Sequence, residues 1–314
     1  MSIRGVIFDV VRFATHDGRG IRTTIFFKGC PLDCWWCHNP EGQARVPERA
    51  FRENRCLRCG ECVDACVESA ISMTYGGPLL VDPAVCRLDG ACVDACPTGA
   101  TEILGRTASV EELLEELERD AVFHEESGGG ATFSGGEPLL QPGLLLPLLD
   151  ACRERGIHTT VDTCGHAPSE ILDAAAARAD AFLYDVKHVD DERHRHFTGV
   201  SNRLILDNLH RVTWRRRETG APELTVRVPV IAGVNDDDEA VGRLAAFLAA
   251  LDPAPPVDLL PCHTLGAAKY ARLGRACRLP DARPPDAERL DSICRILADA
   301  GLHVTIRGEH RGHD

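Results

Sequence analysis

The sequence predicts an α/β protein in which a partial (β/α)6 TIM-like barrel is interrupted by a cysteine-rich insert. Two observations predict this fold. Runs rich in β-branched and aromatic residues alternate with helix-length amphipathic segments over residues 103–314, which is typical of a parallel sheet with right-handed crossovers. Between residues 49 and 102 the alternation stops, and seven cysteines occur in two runs. We therefore predict a discontinuous barrel of residues 1–48 and 103–314 around an inserted domain of residues 49–102.

The predicted elements follow one another along the chain. An extended lead-in at residues 3–13 and a turn at residues 17–20 precede the first barrel strand at residues 23–27. After the insert, Ser109 and Glu112 form a capping box at the start of a helix. Later strands are predicted at 131–133, 158–163, 181–187, 224–231, 257–262 and 303–307, and helices at 144–155, 169–178, within 202–218, and at 237–251 and 286–298. Six βα units and a trailing strand suit a partial barrel better than an eightfold one.

Composition narrows the class of protein. With 314 residues and 44% hydrophobic content, the chain can bury a substantial core. A formal charge of −13 argues against a nucleic-acid surface, and no apolar run reaches the length of a membrane span. We expect the protein to be a monomer. We also expect it in the cytoplasm, since no secretory signal opens the chain. There, 15 cysteines indicate metal or redox chemistry more than disulfides. Lysine occurs only at positions 28, 187 and 269, which makes these three residues candidates for specific roles.

Three cysteines lie close together in the loop of residues 29–40. Cys30, Cys34 and Cys37 have C-x3-C-x2-C spacing. Three thiolates can hold a cubane [4Fe-4S] cluster whose fourth iron remains free to bind a small molecule through nitrogen and oxygen donors. The alternative is a structural zinc site completed by His38. The spacing, with Trp36 before the third cysteine, resembles that of the radical S-adenosylmethionine (SAM) enzymes, in which the open iron chelates the amino and carboxylate groups of SAM.

The insert contains an internal repeat, because Cys-Val-Asp-Ala-Cys occurs at residues 62–66 and again at 92–96. Its two runs match the bacterial ferredoxin pattern, in which the fourth cysteine of each run ligates the other cluster. Paired zinc ribbons are the alternative. Asp89 stands where the second run should have its second cysteine, so it is either an iron ligand or a surface loop residue. The ferredoxin register predicts two sets of four ligands: Cys56, Cys59, Cys62 and Cys96 in one, and Cys66, Cys86, Asp89 and Cys92 in the other.

Polar residues recur where the predicted strands end, which is where a barrel places its active site. The i, i+2 spacing of Asp185 and Lys187 directs both side chains to one face of a strand. A glycine pair after the second strand lets a ligand approach the backbone, and the carboxylate of Glu137 could bind a cationic group. The residues predicted from these positions to bind the cofactor are Gly135, Gly136, Glu137, Asp162, Asp185, Lys187, Arg227 and His263.

With these motifs the chain resembles the glycyl radical enzyme activating enzymes, in the class with a ferredoxin-like domain inserted in a barrel of the radical SAM type. The resemblance extends over nearly the whole chain, through residues 16–24, 28–32, 39–41, 134–141, 162–165, 184–188, 197–202, 230–236, 259–263 and 269–274. It implies a monovalent cation beside the SAM carboxylate at Asp162 and Asp185. It also implies SAM contacts from Trp36, Cys37, His38, Gly136, Asp185, Val186, Lys187 and His263.

The activity that the resemblance implies is hydrogen abstraction. One electron, from a flavodoxin or ferredoxin-type donor, reaches the cluster and cleaves SAM into methionine and a 5'-deoxyadenosyl radical. That radical removes a Cα hydrogen from one glycine of a separate glycyl radical enzyme, and Asp17 and Arg22 are candidate contacts to its loop. The alternatives are another radical SAM maturase or small-molecule enzyme, and an iron–sulfur electron carrier without radical chemistry.

Overall fold

The computed structural model of the chain describes residues 3–74, 79–263 and 266–307. The strands within these residues are β1 (Arg4–Ala14), β2 (Arg22–Phe27), β3 (Glu48–Phe51), β4 (Ile71–Met73), β5 (Leu79–Val81), β6 (Thr101–Leu104), β7 (Arg106–Ser109), β8 (Gly130–Gly135), β9 (Thr159–Thr163), β10 (Ala181–Asp185), β11 (Glu223–Val230), β12 (Val257–Pro261) and β13 (Val304–Ile306). The helices are α1 (Glu61–Asp64), α2 (Ala91–Asp94), α3 (Val110–Glu118), α4 (Ala121–Ser127), α5 (Pro142–Glu154), α6 (Ser169–Ala176), α7 (Asp191–Thr198), α8 (Arg203–Thr219), α9 (Asp238–Ala249), α10 (Ala267–Arg272) and α11 (Ala287–Asp299). Among them, no helix is both long enough and apolar enough to cross a membrane.

The main sheet of the described residues has nine strands in the order β13-β12-β11-β10-β9-β8-β2-β1-β7. From β2 to β13 every neighbouring pair is parallel, and helices lie in each crossover. The prediction of an α/β partial barrel is therefore confirmed. The lead-in strand β1 extends the sheet by pairing antiparallel with β2 on one side and β7 on the other.

Four elements outside the insert were missing from the sequence-based prediction, and all four are short. Strand β7 has four residues, α10 has six, α4 has seven and α7 has eight. So few residues cannot display a hydrophobic period distinct from that of a loop. The longer elements lie within a few residues of their predicted bounds.

Local sequence explains how the chain re-enters the barrel after the insert. Ser109 Oγ accepts a hydrogen bond from the Glu112 backbone N–H at 3.2 Å, and the Glu112 carboxylate accepts one from the Ser109 N–H at 2.8 Å. The predicted capping box is therefore confirmed, and it satisfies two backbone donors at the start of α3. The apolar face of α3 then buries Val110, Leu113, Leu114 and Leu117.

The insert begins and ends next to the barrel. Strand β3 pairs antiparallel with β6, so the two ends of the insert meet in one small sheet. Between them, α1 and α2 each follow a left-handed glycine, Gly60 with φ 85° and Gly90 with φ 89°. The sequence repeat thus corresponds to a repeated turn and helix. That residues 49–102 form a separate domain remains a prediction.

Arg22 is not accessible to a partner protein, contrary to the expectation from the sequence. Its side chain is fully buried. The guanidinium donates to Thr132 Oγ1 at 2.6 Å and to the Ala131 carbonyl at 2.5 Å, both on β8. It also donates to the Arg19 carbonyl at 3.1 Å. Arg22 therefore anchors the loop between β1 and β2 to the barrel, a role that becomes visible only in three dimensions.

A buried carboxylate joins the outer strands to α4. Asp120 is 1% exposed and accepts hydrogen bonds from Thr23 Oγ1 at 2.7 Å and from Arg12 Nε at 2.8 Å. The Arg12 hydrogen bonds hold the pKa of Asp120 below its usual value, although burial opposes them. Because Arg12 lies on β1, Thr23 on β2 and Asp120 at the start of α4, one carboxylate connects three elements.

We expect Asp120→Ala to lower the free energy of unfolding by about 3 kcal/mol, since Thr23 and Arg12 lose a buried acceptor. The depressed pKa means that the ionised carboxylate stabilises the fold at neutral pH and that this contribution disappears as the pH falls below about 4. Denaturant unfolding at several pH values measures both effects. As a control, Asp150→Ala breaks a partly exposed pair with Arg178 and should cost under about 1 kcal/mol. Equal losses in the two variants would contradict the assignment.

Candidate functional site

A cavity of about 190 Å³ opens at the carboxyl ends of the parallel strands. The loop after β2 contributes one wall, and the ends of β8, β9, β10 and β11 contribute the others. This is the face on which an α/β barrel carries its chemistry. Its lining includes Cys30, Cys34, Trp36, Cys37, His38, Ser134, Gly135, Gly136, Asp162, Cys164, Asp185, Lys187 and Arg227.

The cysteine loop is held in place through its backbone. The Asp33 N–H donates to the Thr198 carbonyl at 2.8 Å, and the Trp35 N–H donates to the Phe197 carbonyl at 3.1 Å. The loop is therefore hydrogen-bonded to the C-terminal end of α7. At its other end, the Gly29 N–H donates to the Gly42 carbonyl at 2.7 Å. The position of the three thiols therefore depends on elements that are distant in sequence.

The glycine pair after β8 has a structural reason. A Cβ added to Gly136 would lie 2.3 Å from the Gly29 carbonyl oxygen and 2.4 Å from that of Gly42. The Gly136 N–H also donates to the Phe27 carbonyl at 2.8 Å. The protein backbone itself therefore approaches this position closely, whereas the sequence argument expected a ligand to do so. Gly136 still borders the cavity.

Glu137 does not line the cavity, which corrects its predicted role as a cofactor-binding carboxylate. It is fully buried and accepts hydrogen bonds from Thr163 Oγ1 at 2.7 Å, the Cys164 N–H at 2.8 Å and the Leu139 N–H at 3.0 Å. These bonds tie the end of β8 to the end of β9. The carboxylate is thus occupied by the protein and turned away from any ligand.

Two further predicted residues lie outside the lining of this cavity. The Val186 side chain is buried on the other side of β10, next to α9. His263 is exposed and stacks on the ring of His38, with centroids 4.0 Å apart. Burial, together with His263, lowers the pKa of His38 to about 4, so the His38 ring is neutral at physiological pH. His263 therefore packs against His38, which lines the cavity.

The wall opposite the cysteines carries charges of both signs. Asp185 accepts a hydrogen bond from Lys187 Nζ at 2.7 Å, as their spacing predicted, and Asp162 accepts one from Ser134 Oγ at 2.6 Å. Arg227 Nη1 lies 3.3 Å from Asp162 Oδ1. Burial raises the pKa of Asp162 to about 6, although Arg227 opposes the shift.

Three buried polar atoms on this wall make no hydrogen bond with any described residue: Asp162 Oδ1, Asp185 Oδ1 and Arg227 Nη1. Two of them, Asp162 Oδ1 and Arg227 Nη1, form an ion pair with each other at 3.3 Å, but burying such atoms without a hydrogen bond is costly unless a ligand completes them. Carboxylate oxygens suit an ammonium group, and a guanidinium suits a carboxylate. The wall is therefore complementary to an amino acid moiety, which is the part of SAM that an open iron would chelate.

The thiols of the loop are suited to a metal cluster. Burial raises the pKa of Cys37 to about 12 and also raises the pKa of Cys34 well above its usual value, so these thiolates need a cation to be stable. Among the described residues, no three His, Cys, Asp or Glu side chains converge as they would on a single metal ion. A cubane distributes its ligands over four irons, which allows the wider spacing around this cavity.

The insert brings its predicted ligands together in the predicted fours. One small cavity is bordered by Cys56, Cys59, Cys62 and Cys96, and a second by Cys66, Cys86, Asp89 and Cys92. Asp89 is exposed, and its Oδ1 accepts from the Ala91 N–H at 3.1 Å. Burial alone would raise the pKa of Cys96, but nearby backbone N–H groups outweigh it and lower the pKa to about 7.

The three lysines all lie around the cysteine loop. Lys28 Nζ donates to the Glu41 carbonyl at 2.7 Å, and Lys269 Nζ to Asn39 Oδ1 at 3.1 Å, while Lys187 lines the cavity itself. Their rarity in the sequence was thus an informative signal.

The sequence predicted no role for Ser134 or Cys164, both of which line the cavity. The alternation along β8, which places Thr132 and Ser134 on one face, could have indicated Ser134.

Known proteins are similar in sequence to this chain over most of its length. Residues 24–245 match the model of the Radical SAM superfamily. The isethionate sulfite-lyase activating enzyme of Oleidesulfovibrio alaskensis is 43% identical over 86% of this chain and 87% of its own length. The trans-4-hydroxy-L-proline dehydratase activating enzyme of Clostridioides difficile is 39% identical over 96% and 99% of the two chains. A radical SAM methyltransferase structure from Sphaerobacter thermophilus, at 18% identity, covers 76% of this chain and 72% of its own with a TM-score of 0.50, which supports the fold alone.

The chain therefore belongs to the Radical SAM superfamily, and a [4Fe-4S] cluster and SAM are the cofactors that this membership implies. Within the superfamily it belongs to the glycyl radical enzyme activating enzymes, because the two relatives named above are activating enzymes of that class. The resemblance noted in the sequence is thus confirmed.

We expect Gly136→Ala to displace the cysteine loop, because its Cβ would collide with two backbone carbonyls that cannot rotate away. The reconstituted variant should lose the cluster of that loop, about four iron atoms per chain, while its circular dichroism stays that of the wild type. Gly143→Ala is the matched control, since its Cβ would meet no atom within 4 Å at the start of α5. A Gly136→Ala protein with full iron would show that the close backbone contact is dispensable.

Proposed function

We propose that this protein is an activating enzyme that uses reductive cleavage of SAM to abstract a hydrogen from one glycine of a partner glycyl radical enzyme. The observation that carries the proposal is the cavity in which three cysteines face a wall of acidic and basic side chains with buried atoms that lack a hydrogen bond. A simple electron carrier would need the cysteines alone. The charged wall accounts for a second, zwitterionic ligand beside the cluster.

In this proposal Cys30, Cys34 and Cys37 hold the cluster. When bound, cluster and SAM together supply a 5'-deoxyadenosyl radical and methionine. The protein orients SAM: Asp185 and Arg227 bind opposite ends of its amino acid moiety in the cavity that Trp36 also lines. Abstraction from a single glycine requires a near-attack geometry, so positioning is the main contribution of the chain. No side-chain acid or base takes part in that step.

A monovalent cation is part of the proposal. Asp162 Oδ1 and Asp185 Oδ1 are buried oxygen donors on adjacent strands without a hydrogen-bond partner. Hard cations bind such oxygens. Arg227 lies 3.3 Å from the same oxygen of Asp162, so a cation at this position would share that carboxylate with the guanidinium.

We propose two auxiliary iron–sulfur clusters in the insert, one in each four-ligand cavity. Their support is the grouping of ligands from both halves of the repeat, in which Cys66 and Cys96 have each joined the other run. Asp89 is proposed as an oxygen ligand of the second cluster, because it borders that cavity together with three cysteines. The clusters would accept electrons from a flavodoxin or ferredoxin-type donor and pass them towards the SAM cluster.

Replacing Cys30, Cys34 and Cys37 together by alanine tests the assignment of the catalytic cluster. The wild type should bind about 12 iron atoms per chain and the triple variant about 8, if all clusters are cubanes. The reduced variant should form no 5'-deoxyadenosine. Cys294→Ala, in α11, is the control and should retain both iron and activity. Undiminished SAM cleavage in the triple variant would refute the assignment.

Asp185→Ala tests the charged wall. Loss of a charged hydrogen-bond partner should weaken SAM binding roughly 10- to 100-fold, while iron content stays that of the wild type. Equilibrium binding of SAM to the reconstituted protein measures the effect. Asp207→Ala, an exposed position in α8, removes the same charge elsewhere and should leave the affinity unchanged. Identical affinities in the wild type and Asp185→Ala would place the SAM site elsewhere.

A further inference from the structure

Arg49, on strand β3, has a guanidinium group that the protein leaves without partners where it is buried. Its Nε and Nη2 atoms are inaccessible to solvent and make no hydrogen bond with any described residue. A buried cationic donor in that state is costly unless a ligand completes it. The sequence analysis assigned no role to this residue.

The carboxylates nearest to it along the small sheet are bound to other cations. Glu48 pairs with Lys28 at 3.0 Å and also with Arg275. Glu102, on β6, pairs with Arg52 at 3.1 Å and with Arg272. Each of these two carboxylates thus pairs with two cationic side chains. No ion pair between Arg49 and a carboxylate is found in the described part of the chain.

What Arg49 faces is the second cluster cavity of the insert. It borders that cavity together with Cys66, Cys86, Asp89 and Cys92. The guanidinium carbon also lies over the ring of Phe51, 5.4 Å from its centroid, within the range of a cation–π contact.

We propose that Arg49 is a positioning residue for the auxiliary cluster of the Cys66, Cys86, Asp89 and Cys92 cavity, donating hydrogen bonds to its sulfur atoms and raising its reduction potential. This inference rests on the auxiliary clusters of the proposed function. A cluster with four anionic ligands is negatively charged, and accepting an electron adds one more negative charge. A fixed cation in a desolvated position stabilises the reduced form more than the oxidised form. Hydrogen bonds to sulfur act in the same direction.

The role explains why the position carries a guanidinium. Lysine would keep the charge but has one donor centre that rotates freely, whereas arginine offers several N–H groups in a plane. Such a planar group can bond more than one sulfur atom while remaining stacked on Phe51.

The test compares the full-length, anaerobically reconstituted wild type with Arg49→Gln and Arg49→Lys. Iron content is measured first, and the midpoint potential of each cluster is then determined by titration monitored by EPR. The signal of the SAM cluster is recognised because it changes when SAM is added. Arg87→Gln is the matched control, because Arg87 borders the same cavity but is 73% exposed and pairs with Glu68 at 3.2 Å.

We expect Arg49→Gln to keep about 12 iron atoms and to shift one auxiliary potential to a more negative value, with a smaller shift in Arg49→Lys and none in Arg87→Gln. Full iron with unshifted potentials in Arg49→Gln would overturn the inference alone. If Arg49→Gln fails to hold the cluster, Arg49→Lys decides, and an unshifted potential in that variant overturns it. A wild type with only about four iron atoms would contradict the auxiliary clusters and this inference together.

Discussion

The site depends on one close contact between backbones, where the end of β8 meets the loop that carries the three cysteines. Gly136 has its Cα next to two carbonyl oxygens of that loop, and the Glu137 N–H donates to the Gly29 carbonyl at 2.7 Å. Only a residue without a side chain permits this distance. The contact places the thiols over the ends of the parallel strands, which is where the strands present their charged residues. Without it the thiols and the charged wall would not share a cavity.

Electrostatics then determine what the cavity can hold. Buried thiols disfavour ionisation unless a cation is present, and the opposite wall offers Asp162, Asp185 and Arg227 in a desolvated position. Asp162 pairs with Arg227 and Asp185 with Lys187, but each carboxylate keeps an oxygen without a hydrogen bond that a ligand could complete. A similar logic applies at the base of the insert, where Glu48 and Glu102 bind cations from both the barrel and the insert and leave Arg49 facing a cluster cavity.

Much of this organisation could be predicted from the sequence, because periodicity and ligand spacing are local signals. The order of the parallel strands and the face that carries Asp185 and Lys187 both follow from such patterns. Glu137 was misassigned because nothing local distinguishes a carboxylate that binds a ligand from one that accepts backbone N–H groups of the next strand. Arg22 was misassigned for a related reason, since its burial results from packing against β8, more than 100 residues later.

The proposed function requires the cavity to direct a SAM-derived radical to a glycine of another protein. EPR spectroscopy of the reduced protein, mixed with SAM and a candidate glycyl radical enzyme, measures this transfer. We expect a glycine-centred doublet that requires the reduced protein, SAM and the partner enzyme together. The doublet should disappear when the target glycine of the partner is replaced by alanine. Production of 5'-deoxyadenosine in that mixture without any protein radical would contradict it.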